Sequence, residues 1–128
     1  MNEHPNISVL KGFNPNDVEG SADVFAENFI WHYFNQQLPD LQGDYVGFDG
    51  LKSFFAELAN KTDGTFKVNP VSATAIGDEI VVVHSKNTMP YQGQQIEFDA
   101  VVVWRIVEGR IAEAWDIPAI NTVKALTV

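Results

Sequence analysis

Asp116 is the residue of this sequence with the best setting for acid–base chemistry. Alternate residues of a strand share a face, so Asp116 should share one face of the last predicted strand with Ala112 and Ala114. Small alanines beside a carboxyl leave room for a ligand. A carboxyl among alanines and aromatic rings loses hydration, which raises its pKa toward the range useful for proton transfer. The alternative is that Asp116 only ends the strand before Pro118.

Tyr33 is the predicted polar partner of this carboxyl. It shares a strand face with Trp31 and Phe29, and a tyrosine hydroxyl needs a hydrogen-bond partner when it is buried. We therefore expect Tyr33 and Trp31 to line a pocket, whereas ordinary core packing is the better interpretation of Phe29.

The predicted strand from residue 95 to 107 supplies an apolar wall. Phe98, Val102 and Trp104 lie on one of its faces, and large side chains of this kind often line cavities for apolar molecules. Ala114 of the last strand is the further ligand contact that we expect beside them.

The elements that must position these residues begin with helices. Residues 5–13 predict a short helix, and Asp17 is placed as the N-cap of a second one. Residues 29–34 predict a strand and residues 35–48 a loop. Asp49 is the predicted cap of the clearest helix, which ends at residues 62–64. Its apolar residues have the spacing of a one-faced amphipathic helix: Leu51, Phe54, Phe55, Leu58 and Ala59.

The rest of the chain predicts a β-meander. Strands are expected at residues 65–76, 80–89, 95–107 and 110–117, with turns at 76–79 and 90–94, a tight hairpin at Glu108-Gly109, and an end at Pro118. Helices followed by a meander predict an α+β fold whose sheet curls around the helices. No repeat or linker divides the 128 residues, so one domain is expected over 1–128.

Composition argues against several classes of function. The net charge is −9 with only 8 Lys and Arg residues, which disfavours nucleic acid and anionic membranes as partners. The chain has no cysteine, so disulfides and thiolate chemistry are excluded. Its histidines lack metal-ligand spacing and no cofactor motif occurs, so we expect neither metal nor cofactor. No apolar run reaches membrane-spanning length, which favours a cytoplasmic protein.

Three segments resemble the SnoaL-like, ketosteroid-isomerase-like family of the nuclear-transport-factor-2-like superfamily. Phe25–His32 is similar to the family stretch "lfaedvvwh", and Gly43–Gly50 to its "G-x-Y-x-G-x-d/e-x" entry into the third helix. The segment from Phe98 to Asp116 is similar to the closing hairpin "vwrv-x-G-x-I-x-e-x-w-D". The resemblance covers residues 14–120 of the chain.

The resemblance implies a cone-shaped domain in which a curved mixed or antiparallel sheet of six strands and about three helices close an interior pocket. Relatives of this type include polyketide cyclases, ketosteroid isomerases, epoxide hydrolases and dehydratases, and most are dimers. The N-terminal helix is shorter here than is usual for the family, which would leave the pocket less well closed. Because one fold supports many activities, the site has to be argued residue by residue.

Aligned with the ketosteroid isomerases, this chain lacks their catalytic residues. Their protonated aspartate falls on Val102, their base on Tyr33 and their oxyanion-binding tyrosine near Val9. The alignment therefore argues against steroid isomerisation as the activity of this chain. Asp116, in contrast, matches the recurrent pocket aspartate of the cyclases and epoxide hydrolases.

Aligned with the epoxide hydrolases, the chain keeps part of the site. Those enzymes carry an arginine and an aspartate two residues apart where this sequence has Ser85 and Asn87. A water molecule could be held by Asp116, Asn87 and Tyr33. The missing arginine–aspartate pair argues against epoxide opening.

These patterns lead to one main hypothesis and two alternatives. The main hypothesis is a cofactor-independent acid–base enzyme, of isomerase, cyclase, hydratase or hydrolase type, that acts on a small apolar molecule through Asp116, Tyr33 and Asn87. The first alternative is a non-catalytic domain that binds or carries such a ligand. The second is a structural dimer whose own side chains fill the pocket.

The outer face of the sheet is predicted to form a homodimer. Strand alternation turns His32, His84 and Asp99 away from the pocket, so we expect structural roles for the two histidines and a contact with solvent or a dimer partner for Asp99. The apolar residues that alternate outward on the last two predicted strands form a patch that a monomer would rarely leave exposed to solvent. The predicted contact residues are Val101, Val103, Ile111 and Trp115.

Overall fold

A six-stranded mixed sheet forms the body of the molecule. The computed structural model describes residues 3–126. Its strands are β1 (Phe25–Tyr33), β2 (Gly43–Val46), β3 (Lys67–Ile76), β4 (Ile80–Tyr91), β5 (Gln94–Val107) and β6 (Arg110–Ala125). They lie in the order β2-β1-β6-β5-β4-β3, and all neighbouring pairs are antiparallel except β1 and β6, which are parallel. The curved sheet and its helices confirm the predicted α+β class.

Two α-helices and a 3₁₀ helix pack on the concave face in the described part of the chain. They are α1 (Pro5–Leu10), the 3₁₀ helix Val18–Val24 and α2 (Gly47–Lys61). Asp17 occupies the N-cap position of the 3₁₀ helix, as predicted, but its side chain makes no capping hydrogen bond there. Within 3–126, no helix is long and apolar enough to cross a membrane.

The start of α2 differs from the prediction, whereas its end agrees with it. The helix begins at Gly47, and Asp49 lies in its first turn rather than at its N-cap. Gly47, at a φ of 72°, turns the chain directly from β2 into the helix, so no side-chain cap is used. At the other end Gly64 donates its N–H to the carbonyl of Ala59 at 2.8 Å, which closes the last turn.

Strand β2 lies inside the segment that the sequence predicted to be a loop. Its four residues pair with β1, with Tyr45 opposite Trp31. A segment this short has too few residues to show alternation, and its strand conformation depends on the neighbouring strand. Tyr45 packs on Phe54 of α2 with ring centroids 5.1 Å apart.

Strand β6 continues past Pro118, where the prediction ended it. Pro118 is in register with Ala100 of β5, and pairing with β5 continues, with one irregularity after Ala119, as far as Ala125. Since β1 ends opposite Asp116, β6 has a strand on one side only at Pro118. A proline there removes no bond to β1, which is why the strand tolerates it.

A β-bulge at Ala112 corrects the predicted outer patch. The β5–β6 register steps from Arg105↔Glu113 to Ile106↔Ile111, which leaves Ala112 unpaired. Ile111 therefore faces the core, where it is fully buried. The prediction that it belongs to the outer face was wrong, because simple alternation does not anticipate a bulge.

Helix α2 packs against the sheet through aromatic contacts. The Phe54 ring lies 4.7 Å from Tyr33 and 5.6 Å from Trp31, centroid to centroid. Phe54 is 1% exposed. The helix thereby fixes the strand from which two predicted site residues project.

Candidate functional site

A cavity of about 400 Å³ lies between the concave face of the sheet and the helices. Helix α1 borders it with Ile7 and Leu10, and α2 with Phe54, Phe55 and Leu58. The remaining wall comes from strands β1, β3, β4, β5 and β6 and from the segments that connect them. The volume lies within the range of cavities that hold small molecules, and the walls are mainly apolar.

The cavity meets solvent between α1 and β3. Lys11, at the C-cap of α1, and Val71 of β3 both border the cavity and are largely exposed. The β3 register shifts at Val71, so the consecutive residues 70–73 all border the cavity instead of alternating away from it. Helix α1 has only 6 residues, which leaves this side uncovered.

Asp116 supplies the only carboxyl on the cavity wall among the described residues. It is in register with Tyr33 on one side and Val102 on the other. Burial raises the pKa of Asp116 from 3.8 to about 7. Asp116 keeps a partly accessible surface because its side chain borders the cavity.

Tyr33 lies beside Asp116 and is held by a residue that sequence analysis did not single out. Asn35 donates from Nδ2 to the Tyr33 hydroxyl oxygen at 2.8 Å. Burial, and next the charge of Asp116, raise the pKa of Tyr33. The tyrosine therefore stays protonated, and its own hydrogen remains available to a ligand. Asn35 follows Tyr33 by two residues, and continued alternation was the signal that pointed to it.

Ser85 and Asn87 of β4 both border the cavity, whereas the intervening Lys86 is exposed. Ser85 is 2% and Asn87 6% exposed. Among the described residues, the Asn87 side-chain oxygen Oδ1 has no hydrogen-bond partner. Ser85 and Asn87 thus make this wall polar but uncharged.

The predicted apolar wall borders the cavity, with one exception. Trp31, Phe98, Val102 and Trp104 are all in the lining. Ala114 is not: it is fully buried and in register between Trp31 and Trp104, whose rings lie 5.5 Å apart. We infer that the two indoles meet over its methyl group, so the predicted ligand contact of Ala114 is corrected to a packing role.

Some lining residues were missed by the sequence. Lys11 is a second charged group on the cavity wall. Its side chain is 70% exposed and pairs with Glu3 at 2.7 Å, which places the charge at the mouth. Residues 7, 10 and 11 have the spacing of one face of a helix, and this spacing was the signal that they would border the cavity together. Phe66 carries no such signal, because it lies in the connection before β3.

His32 and His84 lie on the opposite face of the sheet, as strand alternation predicts. His32 contacts Asp44 at 2.7 Å through Nδ1 and Glu113 at 2.6 Å through Nε2. His84 contacts Asp99 at 2.7 Å. Within residues 3–126 there is no cluster of acidic and histidine side chains suited to a metal ion.

Comparison with known families settles the classification. The family model of the SnoaL-like domain matches residues 8–114. The chain belongs to the SnoaL-like family. No significant match is found among curated protein sequences.

Solved structures share the SnoaL-like fold at low identity. Bal32a, from a soil-derived mobile gene cassette, is 22% identical with a TM-score of 0.77 over 90% of this chain and 89% of its own. TerC, co-crystallised with polyporic acid, is 23% identical with a TM-score of 0.77 over 91% and 93%. An NTF2-like protein of unknown function from Burkholderia pseudomallei K96243 is 19% identical with a TM-score of 0.77 over 93% and 94%. At such identities the SnoaL-like fold is shared, and the chemistry rests on the residues of this chain.

Proposed function

We propose that this SnoaL-like protein is a cofactor-independent acid–base enzyme acting on a small, mostly apolar molecule. The supporting observation is Asp116, a carboxyl on the wall of an apolar cavity with a pKa raised to about 7 by burial. A group with that pKa is present in both protonation states near neutral pH, so it serves as base or acid. Isomerisation, cyclisation and hydration all need such a group.

The neighbours of Asp116 have complementary roles in this proposal. Asp116 takes a proton from a carbon next to a ligand carbonyl. Tyr33, whose oxygen already accepts from Asn35, donates its hydrogen to the oxygen that gains negative charge. Asn87 and Ser85 orient the ligand or a water molecule by neutral hydrogen bonds.

The walls favour a neutral ligand with a large apolar surface. The aromatic lining from Trp31 to Trp104 gives dispersion contacts, and the one lysine lies at the mouth. A relative of the same fold, TerC, has been co-crystallised with polyporic acid. A ring compound that carries oxygen functions is consistent with these walls.

The test is the variant Asp116→Asn, which keeps the shape of the side chain and removes proton transfer. Neutral carbonyl compounds that raise the melting temperature are incubated in D₂O, and exchange of their carbon-bound protons is followed by NMR. The variant should bind the same compounds and lose about 10²–10⁴-fold in exchange rate. Glu113→Gln, on the same strand but facing outward, is the matched control and should exchange at the parent rate.

Two results would contradict the enzyme hypothesis. Equal exchange by the Asp116→Asn variant would remove Asp116 from the chemistry. Binding by both proteins without exchange or turnover would favour the alternative of a ligand carrier.

We also propose that the chain forms a homodimer through the outer face of the sheet. Val101, Val103 and Trp115 are partly exposed there, and Ile117 is 44% exposed. Strand β6 thus presents apolar side chains on the outer face of the sheet, while its Asp116 faces the cavity on the inner face. Light scattering at micromolar concentration should give twice the monomer mass, and the variant Ile117→Lys should lower it.

A further inference from the structure

A groove beside the cavity has the features of a second ligand site. It measures about 310 Å³ and lies between the 3₁₀ helix, α2 and the start of β3. We call it the helix groove. Val18, Phe55, Leu58 and Phe66 border it with apolar side chains that are partly or largely buried. A concave apolar surface of this kind binds the apolar part of a small molecule.

Three charged side chains border the helix groove, and two of them are positive. They are Lys52 of α2, Lys67 at the start of β3 and Glu19 of the 3₁₀ helix. The chain as a whole has a net charge of −9 with only 8 Lys and Arg residues. The groove therefore carries a local excess of positive charge on an acidic protein, which favours an anion over a cation as its occupant.

The two lysines are only weakly engaged by other side chains. Lys67 makes no ion pair within residues 3–126. Lys52 pairs with Asp49 at 3.4 Å, but the Asp49 side chain is 98% exposed. The Lys52 nitrogen also lies 5.4 Å from the centroid of the Phe48 ring. Because exposed pairs of this kind contribute little, both ammonium groups can turn toward a bound anion.

We propose that the helix groove binds a small monocarboxylate with an alkyl or aryl body. The body lies on Phe55 and Phe66, and the carboxylate pairs with the ammonium groups of Lys52 and Lys67. Glu19 opposes this anion, so its charge limits the affinity of the groove.

The helix groove is distinct from the cavity, although the two share a wall. Phe55, Leu58 and Phe66 border both of them. Asp116 borders the cavity and not the groove. The inference therefore goes beyond the proposed function and does not depend on it, since a carboxylate in the groove leaves the acid–base group untouched.

Octanoate and octan-1-ol are the probes, because they share an alkyl chain and differ in charge. Dissociation constants are measured by calorimetry at low ionic strength. The test variant is Lys52→Gln/Lys67→Gln, which removes two charges and keeps most of each side-chain stem. The matched control is Lys61→Gln/Lys124→Gln, which changes the net charge equally at two lysines outside the groove.

The proposal requires a loss that is specific for the anion and for the groove. The test variant should bind octanoate about 3–10-fold more weakly, the worth of one or two exposed ion pairs, and octan-1-ol as the parent does. The control variant should keep the parent affinity for both probes. Glu19→Gln should bind octanoate about 2-fold more tightly, because it removes a repulsive charge.

NMR shows where octanoate binds. The backbone amide signals of Ala56, Ala59 and Gly64, which border the groove and not the cavity, should shift during the titration. Shifts confined to Ser85 and Asn87 of the cavity would overturn the proposal.

The affinities can overturn the proposal as well. Equal losses in the test and control variants would do so, since they would report net charge alone. The same conclusion would follow from an unchanged octanoate affinity in the test variant, or from no binding of octanoate to the parent at millimolar concentration.

Discussion

Tyr33 and Asp116 lie side by side in register on the parallel strands β1 and β6. The carboxylate charge adds to burial in raising the pKa of the tyrosine, while Asn35 donates to the tyrosine oxygen at 2.8 Å. A neutral hydroxyl donor thus neighbours a carboxyl whose own pKa is about 7. Both residues are placed by the only parallel pairing in the described sheet.

Asp116→Asn should stabilise the protein at neutral and alkaline pH. The pKa of the folded carboxyl, about 7, lies above its ordinary value of 3.8, so the folded state binds the proton more tightly than the unfolded state. The parent therefore loses stability as pH rises from 3.8 to about 7, and the loss is complete above that. The variant should match the parent near pH 4 and exceed it by up to about 4 kcal/mol at pH 8. Urea unfolding across this range measures the difference, and a pH-independent difference would contradict the buried carboxyl.

Asn87→Leu should raise the free energy of unfolding by about 1–3 kcal/mol, because it removes an acceptor without a partner. Asn35→Leu is the matched control. Asn35 is equally buried but bonded to Tyr33, so its replacement should destabilise. Thermal and urea unfolding compare the two. Destabilisation by both variants would mean that ordered water satisfies Asn87.

Tyr33→Phe and Asn35→Leu should be coupled. Each single variant leaves one buried partner of the 2.8 Å hydrogen bond unsatisfied. The double variant removes both partners, so its loss of stability should be smaller than the sum of the single losses by about 1 kcal/mol. A double-mutant cycle from urea unfolding gives this number, and additive losses would show that the bond contributes nothing.

Phe54→Ala should cost about 3–5 kcal/mol, as for large truncations in a packed core. Phe54 contacts Tyr33, Trp31 and Tyr45, and is 1% exposed. Phe55 borders the cavity and is only partly buried, so Phe55→Ala should cost less and mainly lower ligand affinity. Denaturant midpoints rank the two variants, and the reverse order would mean that α2 packs through its other face.

The His32 contacts should stabilise the protein most at mildly acidic pH. Burial lowers the pKa of His32, but hydrogen bonds to Glu113 and Asp44 outweigh it, and the net pKa lies above 6.5. A raised histidine pKa gives stability that is complete below 6.5 and is lost as pH rises through the folded value. Melting temperatures of the parent and His32→Gln should therefore converge as pH rises. A difference in melting temperature that increases toward alkaline pH would show that the imidazole is bound in its neutral form.

Local patterns account for the parts of the fold that the sequence predicted. Helix α2 has a continuous apolar stripe, and Glu108-Gly109 forms the expected hairpin with φ angles of 52° and 78°. Alternation within single strands placed Asp116 and Tyr33 on the inner face. These signals lie within a few residues of the side chains that they position.

The features that the sequence did not predict depend on pairing between distant segments. Strand β2 becomes a strand against β1, and β6 passes Pro118 because β1 has already ended. The bulge at Ala112 reverses the facing of Ile111. Ala114 does not contact the cavity as predicted, because the indoles of Trp31 and Trp104, from two other strands, cover it. None of these relations is encoded in one segment alone.

The parallel pairing of β1 with β6 has a consequence for how the protein folds. These are the first and last strands of the described residues, so Tyr33 and Asp116 meet only after segments from opposite ends of the sequence have been brought together. Contacts so distant in sequence form late and slow the folding reaction. During synthesis the meander β3–β5 can pair before β6 has left the ribosome, and β1 can pair with β2 but not yet with β6. The acid and its neighbouring hydroxyl can therefore come together only once β6 has been made.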